Sequence, residues 1–313
     1  MTRLDRTPSF TFRQLSAFVA VAETGTISAA ASQLMLSPSA VSLAISDLEK
    51  VLRTQLCVRR RAHGVQLTPT GQAMLARARV LLQQASEMEA ESIDASGELS
   101  GPLSVGCYPT VGPTVLPPLL ARFTDRYPAV TIRFHEATAD ELAIKLDSGE
   151  LDAVIVYDLD IPPTWQSATL LTRHPALVVA HDHPLARETG PITLAEAAGE
   201  PMVLLDTAPS AAHAMRMCAA AGFTPTIAYR TANYETVRAF VGWGLGWTIM
   251  LQRPLPETYG GLGVVARPIG DPVAEPVRLL IAWKKGALLS RATREFIRFA
   301  VDRYATDDAD QRS

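Results

Sequence analysis

Arg59, Arg60 and Arg61 stand side by side, with His63 and Gly64 just beyond, between two short β-prone stretches, Cys57-Val58 and Val65-Gln66-Leu67. An arginine-rich hairpin of this kind suits phosphate or a narrow minor groove, because the guanidinium is always charged and forks onto paired oxygens. Upstream, Ser37-Pro38-Ser39-Ala40-Val41-Ser42-Leu43 places small hydroxyls at the start of a helix. Ser37 is positioned to N-cap, and Pro38 at the first helical position gives up only an amide that had no partner there. Val41, Ala44, Ile45 and Leu48 fall at helical spacing and form a buried face, so Ser39, Ser42 and Leu43 point away from it. A helix that offers small polar groups at its leading edge, behind a helical platform, has the geometry of a recognition helix in a major groove. From these residues alone, a plain three-helix bundle with a solvated basic hairpin stays open.

The elements that must hold those groups are legible around them. Phe12, Leu15, Phe18 and Val19 recur at helical spacing, and Gly25 stops that helix. Ser28 to Leu34 is short and Ala-rich, which lets a neighbouring helix approach closely. Residues 1–70 carry eight Lys/Arg against four Asp/Glu, while the whole chain of 313 residues has a net charge of −3. A basic first quarter on an acidic body is the asymmetry expected when one module meets phosphate and the other does not. With 48% hydrophobic and 19% charged residues, the chain can bury two or three cores. Three widely spaced cysteines (Cys57, Cys107, Cys218) form no CxxC pair or Cys/His cluster, which fits a reducing cytoplasm. The opening residues lack the basic-then-apolar pattern of a secretory signal, and no apolar run is long enough to cross a bilayer.

Thr70 to about Ser96 reads as one long helix with an apolar stripe through Met74, Leu75, Ala78, Leu81, Leu82, Ala85, Met88, Ser92 and Ile93. Such a stripe can pack on its own chain or on a second copy. Ser96 to Pro102 supplies a hinge. From Leu99 strands and helices alternate, which predicts a parallel-type sheet with helices on both faces and ligands at the carboxyl ends of the strands. The final strand and helix (Arg278–Ala282, then about 290–302) are expected to return to the first of two Rossmann-like lobes. Tyr157, closing the third strand, and Asn233, ahead of a helix, are cleft candidates by this strand-end logic. There is no GxGxxG or Walker motif, so no cofactor is expected.

The order FxxLxxFVAVAETGTISxAAxxLxLSPSAVSxxIxxLE, then LxxQLxxRR and GVxLTPTG, resembles the DNA-binding domain of LysR-type transcriptional regulators, without a gap from Phe12 to about Leu67. The resemblance implies a winged helix-turn-helix that reads double-stranded operator DNA as a dimer, with DNA-facing positions at Ser37, Pro38, Ser39, Ser42, Leu43, Arg59, Arg60, Arg61 and His63. This chain departs from the family at Pro38 (usually Gln), Leu43 and His63 (often Arg), Arg53 (usually Gly) and Cys57 (usually Phe). Losing Gln and Arg from the helix shifts base readout onto serines, Leu43 and the wing arginines, with Arg60 and Arg61 standing in for the missing arginine. The long helix resembles the family's linker helix, which pairs with a partner chain's, and the family implies a homodimer and further a homotetramer.

Residues 99–300 resemble the family's effector-binding domain, built like periplasmic solute-binding proteins, through LxVGCYPTVGPTVLPPLLARFTDRYPAV, LDSGELDAVIV, HPLA and VGWGLGWTIM. The implied division is 1–69 for DNA binding, 70–97 for the linker and 98–313 for the effector domain, with lobe I about 98–170 and 273–313 and lobe II about 171–272. Thr110, Thr138 and Ser210 match effector-holding positions. Hydroxyls with free helix amides suit a carboxylate or other anion, so a small anionic metabolite is the expected effector. No metal is expected: His181-Asp182-His183-Pro184 matches a loop of the family rather than a ligand set. Cys218 stands where the peroxide-sensing branch keeps one redox cysteine, but Pro209 stands where the reactive one is expected. The implied protein is a non-catalytic, cytoplasmic regulator with no membrane contact. Its rivals are a two-lobed solute-binding protein and an α/β enzyme with an appended helical domain.

Overall fold

The computed structural model describes residues 8–60, 64–93, 98–251, 257–258 and 260–310. Helix α1 (Phe12–Thr24) opens on a capping box, Thr11 accepting from the Gln14 amide while the Gln14 side chain accepts from Thr11, and it closes at Gly25 with φ +71°. Helix α2 (Ile27–Leu34) is capped by Thr26, and α3 (Pro38–Leu52) by Ser37, whose Oγ accepts from the Ala40 amide at 3.2 Å. The three pack through Leu15, Phe18, Val21, Ala30, Ala31, Val41, Ile45 and Leu48, all buried. Strands β1 (Cys57–Arg60) and β2 (Gly64–Leu67) pair antiparallel, Cys57 opposite Leu67 and Arg60 opposite Gly64. The winged helix-turn-helix expected from the sequence is therefore present, with the tip of its hairpin at 61–63 outside the described residues.

Helix α4 (Pro69–Ile93) runs 25 residues, about 38 Å at the α-helical rise of about 1.5 Å per residue. Its apolar stripe is divided: Met74, Leu75, Ala78 and Leu82 pack against the N-terminal core, while Leu81 and Met88 are exposed, as is Val80 outside the stripe. Polar contacts seat α4 on the sensing module. Arg79 bridges Glu23 of α1 (3.1 Å) and Ser148 (3.4 Å), and Gln83 donates to Asp152 at 2.9 Å. Asp152 also accepts from the Ser104 amide at 2.7 Å, and burial raises its carboxyl above the usual range.

The first sheet of the sensing module orders its strands β4-β3-β5-β12-β6. These are β3 (Gly101–Cys107), β4 (Val130–Glu136), β5 (Ala153–Tyr157), β6 (Trp165–Arg173) and β12 (Val277–Lys284). Helices α5 (Leu116–Arg126), α6 (Ala139–Asp147) and the last helix, α9 (Arg291–Asp310), accompany it. Phe123 of α5 meets Phe296 and Phe299 of α9 edge-on, with ring centroids 5.0 and 5.4 Å apart. The second lobe holds β7 (Ala176–Ala180) between β10 (Thr248–Met250) and β11 (Val264–Pro268), and a separate parallel pair, β8 (Met202–Leu205) and β9 (Ile227–Thr231). Its helices are α7 (Ser210–Ala220) and α8 (Tyr234–Gly242).

The expected return of the last strand and helix to the first lobe is what the structure shows, since β12 lies between β5 and β6. The expected parallel-type sheet needs correction. Parallel pairing joins β3 to β4 and β5 in the first lobe and β8 to β9 in the second; β12 is antiparallel to both its neighbours, and β7 is antiparallel to β10 and β11. Strands β6 and β11 are additions that the sequence reading lacked. The chain passes between lobes after β6 and again after β11, so two crossing segments connect them.

Candidate DNA-reading edge and interlobe cleft

The leading edge of α3 is built by its opposite face. Val41, Ile45 and Leu48 are fixed in the core, which leaves Ser37, Pro38, Ser39 and Leu43 exposed and Ser42 half-buried. Leu43 is 62% exposed, and Met35 in the preceding turn, at φ +53°, is 92% exposed. Two large apolar side chains near the serines in sequence are thus left in solvent. Sequence reading named Leu43 but missed Met35, because a left-handed residue between two helices hides an exposed position inside an apolar pattern. Ser37 Oγ and Ser39 Oγ lie 3.0 Å apart, so the capping serine and its neighbour form one polar patch.

The wing is held by contacts the sequence did not reveal. Glu49 on the last turns of α3 accepts from the amides of Leu56 (2.7 Å) and Cys57 (2.9 Å) through one carboxylate oxygen, where β1 begins. On the other strand, the Val65 amide donates to the Gly25 carbonyl at 2.8 Å. Gly64 has φ +71°, and a Cβ there would fall 2.4 Å from that carbonyl oxygen, so only glycine fits. Arg59 and Arg60 lie on β1 within this clasp, while Arg61 and His63 fall outside the described residues.

In the sensing module the structure brings Thr110, Tyr157 and Ser210 to one cavity between the lobes, together with Leu205, His213, Ala214, Tyr234, Ile249, Met250 and Leu251. Thr138 and Asn233 are not among its lining residues. Thr138 caps α6 in a capping box with Glu141, and Asn233 caps α8 by accepting from the Thr236 amide at 2.9 Å. Both serve the helices they precede. Tyr108, which follows β3 and is buried, closes the cleft: its hydroxyl lies 2.6 Å from Thr207 Oγ1 and 3.0 Å from Ser210 Oγ in the second lobe. Thr110 and Tyr157 are joined hydroxyl to hydroxyl at 3.4 Å, and the Tyr108 and Tyr157 rings meet edge-on, 6.0 Å between centroids. With the lobes clasped, the remaining space is about 20 Å³ for the centre of a water-sized molecule, room for one or two waters.

Tyr108, His213 and Tyr234 were not cleft candidates in the sequence reading. Tyr108 adjoins the Thr110 segment and was within reach; the other two are ordinary helix residues until α7 and α8 turn them inward. Burial, with Arg216 nearby, holds His213 below its ordinary pKa, opposed by Asp158, so the ring is neutral at pH 7. Desolvation raises the Tyr234 phenol. His213 Nε2 and the Tyr234 hydroxyl are buried without a hydrogen-bond partner.

Cys107 is pushed up to about 12 by burial and by Glu136, and Cys218 to about 11 by burial, so neither offers a thiolate at neutral pH. His183 is spent on structure, its Nε2 2.7 Å from Glu200 and its Nδ1 accepting from the Leu185 amide. Among the described residues no group of three or more His, Cys, Asp or Glu is placed to hold a metal ion.

Two family models match the chain: "Bacterial regulatory helix-turn-helix protein, lysR family" over residues 12–72 and "LysR substrate binding domain" over residues 96–305. An uncharacterized HTH-type regulator of Bacillus subtilis, YvbU, is 30% identical over 95% of this chain and 100% of its own length. The DNA-binding transcriptional dual regulator OxyR of Escherichia coli is 30% identical over 88% of this chain and 90% of its own. Among solved structures, the C-terminal domain of a probable LysR family regulator from Rhodococcus is 53% identical, with a TM-score of 0.63, covering 64% of this chain and 99% of that one.

Proposed function

The chain belongs to the LysR family of transcriptional regulators, and from that premise we propose how its own residues read DNA and sense an effector. It is a DNA-binding transcription regulator with an effector-binding domain, not an enzyme. The finer reading is that Ser37, Pro38, Ser39, Ser42 and Leu43 lie against base edges while Arg59, Arg60, Arg61 and His63 grip the adjacent sugar-phosphate strand. The carrying observation is the one-sided burial of α3, which leaves its serine-rich N-terminal edge and Leu43 exposed, while Glu49 near its other end holds the start of the arginine-bearing hairpin. Serines give short, adaptable hydrogen bonds, and Leu43 suits a thymine methyl.

The exposed Val80, Leu81 and Met88 of α4 form the surface on which a second copy's helix pairs, giving a dimer and by further contacts a tetramer. The effector enters between the lobes, breaks the Tyr108 clasp and resets their relative angle, and this shifts the spacing of the two DNA-binding domains. The protein works in the cytoplasm; no single helix among the described residues is long and apolar enough to cross a membrane.

Gel-shift titration of the DNA upstream of its own gene, across a salt series, tests the DNA reading. Loss of Arg59 and Arg60 together lowers the slope of log affinity against log salt by about 0.9 for each phosphate contact removed. No retained fragment at low salt would overturn the proposal.

A further inference from the structure

The interlobe cavity has a composition that decides what it can hold. Its lining among the described residues contains no Lys, Arg, Asp or Glu. Five polar side chains face it, and three are already committed to one another or to the lobe clasp: Thr110 with Tyr157, and Ser210 with Tyr108. The two left over are His213 Nε2 and the Tyr234 hydroxyl, both buried and unpartnered, one from α7 and one from α8. Leu205, Ala214, Ile249, Met250 and Leu251 make up the apolar remainder.

An unpartnered buried polar atom costs free energy, so a pair carried by two residues that line one cavity marks the place where a ligand's polar groups belong. A carboxylate brought here would be stripped of water with no cation among these side chains to pair with, a heavy penalty. Charged groups act on the two orphans from outside the lining, Arg216 and Asp158 on His213 and Arg238 and Glu235 on Tyr234, and Arg238 is itself paired with Glu235. Asp158 is hydrogen-bonded to Arg278 at 2.6 Å, and Arg216 helps keep His213 neutral. The anionic effector expected from the sequence rested on helix amides and hydroxyls; the lining favours a different class.

We propose that the cleft takes a small uncharged ligand carrying a hydrogen-bond donor and acceptor side by side, as in a primary amide, with Tyr234 donating to its acceptor and His213 Nε2 pairing with its donor. This rests on the cleft being the effector site. A neutral imidazole accepts at one ring nitrogen, and an amide presents a carbonyl and an N–H on one edge, so one group satisfies both orphans. The apolar residues then set the size and shape of whatever the amide carries.

The test is calorimetric titration of the full-length protein with matched pairs that differ only in charge: acetamide against acetate, and benzamide against benzoate. The amide of at least one pair binds tenfold or more tightly than its carboxylate, and Tyr234→Phe and His213→Leu each weaken that amide about tenfold, the scale of one hydrogen bond lost to a buried partner. Tyr234→Phe keeps the ring, so its thermal midpoint serves as the folding control. A carboxylate that binds more tightly than its amide, and is weakened by Tyr108→Phe, overturns the ligand class while leaving the cleft as effector site. Amide binding that both variants leave unchanged places the ligand elsewhere and overturns the site as well. No binding by any of the four at about 10 mM overturns the class; the site then falls too if Ala214→Trp, which fills the cavity, leaves DNA affinity and footprint unaltered.

Discussion

Replacing Glu49 by alanine isolates the contact that holds the wing to the recognition helix. One carboxylate oxygen accepts from the amides of Leu56 and Cys57 at 2.7 and 2.9 Å, and both residues are buried. Hydrogen bonds to a charged group are worth about 1.5–3 kcal/mol each, and a buried amide left unpaired costs about 1–3 kcal/mol. Because the two bonds share one oxygen, we take about 2–4 kcal/mol for the pair rather than their full sum. A domain of this size has only about 5–15 kcal/mol in hand, so the loss is a large fraction of its stability. Hydrogen exchange at the Leu56 and Cys57 amides then speeds by about 30- to 1000-fold. Glu49→Gln keeps a neutral acceptor and loses about half as much. Since β1 starts at Cys57, Arg59 and Arg60 lose their fixed platform, and the salt slope of DNA binding falls by about 1–2. Exchange rates at those amides within twofold of the parent would refute the assignment of Glu49 as the buttress.

Three further outcomes follow from the geometry. Gly64→Ala forces a side chain at φ +71° against the Gly25 carbonyl and costs about 2 kcal/mol or more, read as a lowered unfolding midpoint of the N-terminal domain; a change below about 0.5 kcal/mol contradicts the close approach. Tyr108→Phe removes the hydroxyl bridging to Thr207 and Ser210 and shifts the lobes toward open by about 0.5–1.5 kcal/mol, seen as a broader interlobe distance distribution between spin labels; an unchanged distribution contradicts the clasp. Burial and Arg216 depress the pKa of His213, so as pH falls below its ordinary value of about 6.5 the unfolded chain takes up the proton first and stability drops. The expected loss between pH 7.5 and 5.5 is therefore smaller in His213→Gln than in the parent, measured by denaturant midpoints, and equal losses would rule out this origin.

Signals local in the chain sufficed for the N-terminal domain. Capping residues Thr11, Thr26 and Ser37, the glycine stop at Gly25 and the 3.6-residue rhythm of Leu15, Phe18, Val41, Ile45 and Leu48 act within one or two helical turns, so reading them requires no partner. The alternating strands and helices of the sensing module were legible for the same reason. Strand direction was not, because an apolar run such as Leu279 to Ala282 looks alike in either sense and its antiparallel pairing depends on where the chain returns. Strand β6 escaped because its burial does not alternate, and β11 because it is a short edge strand ending in Pro268.

The cleft belongs wholly to tertiary structure. Tyr108 meets Thr207 and Ser210 across 99 and 102 residues of chain, and His213 and Tyr234 become neighbours of one cavity only when α7 and α8 bring them to it. The division of the α4 stripe is equally non-local, since whether Leu82 or Leu81 faces the chain's own core depends on how the whole helix is seated. Sequence thus determined which modules form, because caps, turns and periodicity are written in neighbouring residues. Only the folded molecule decided what the cavity is chemically, because burial and the absence of a countercharge are properties of surroundings that no short stretch of chain contains.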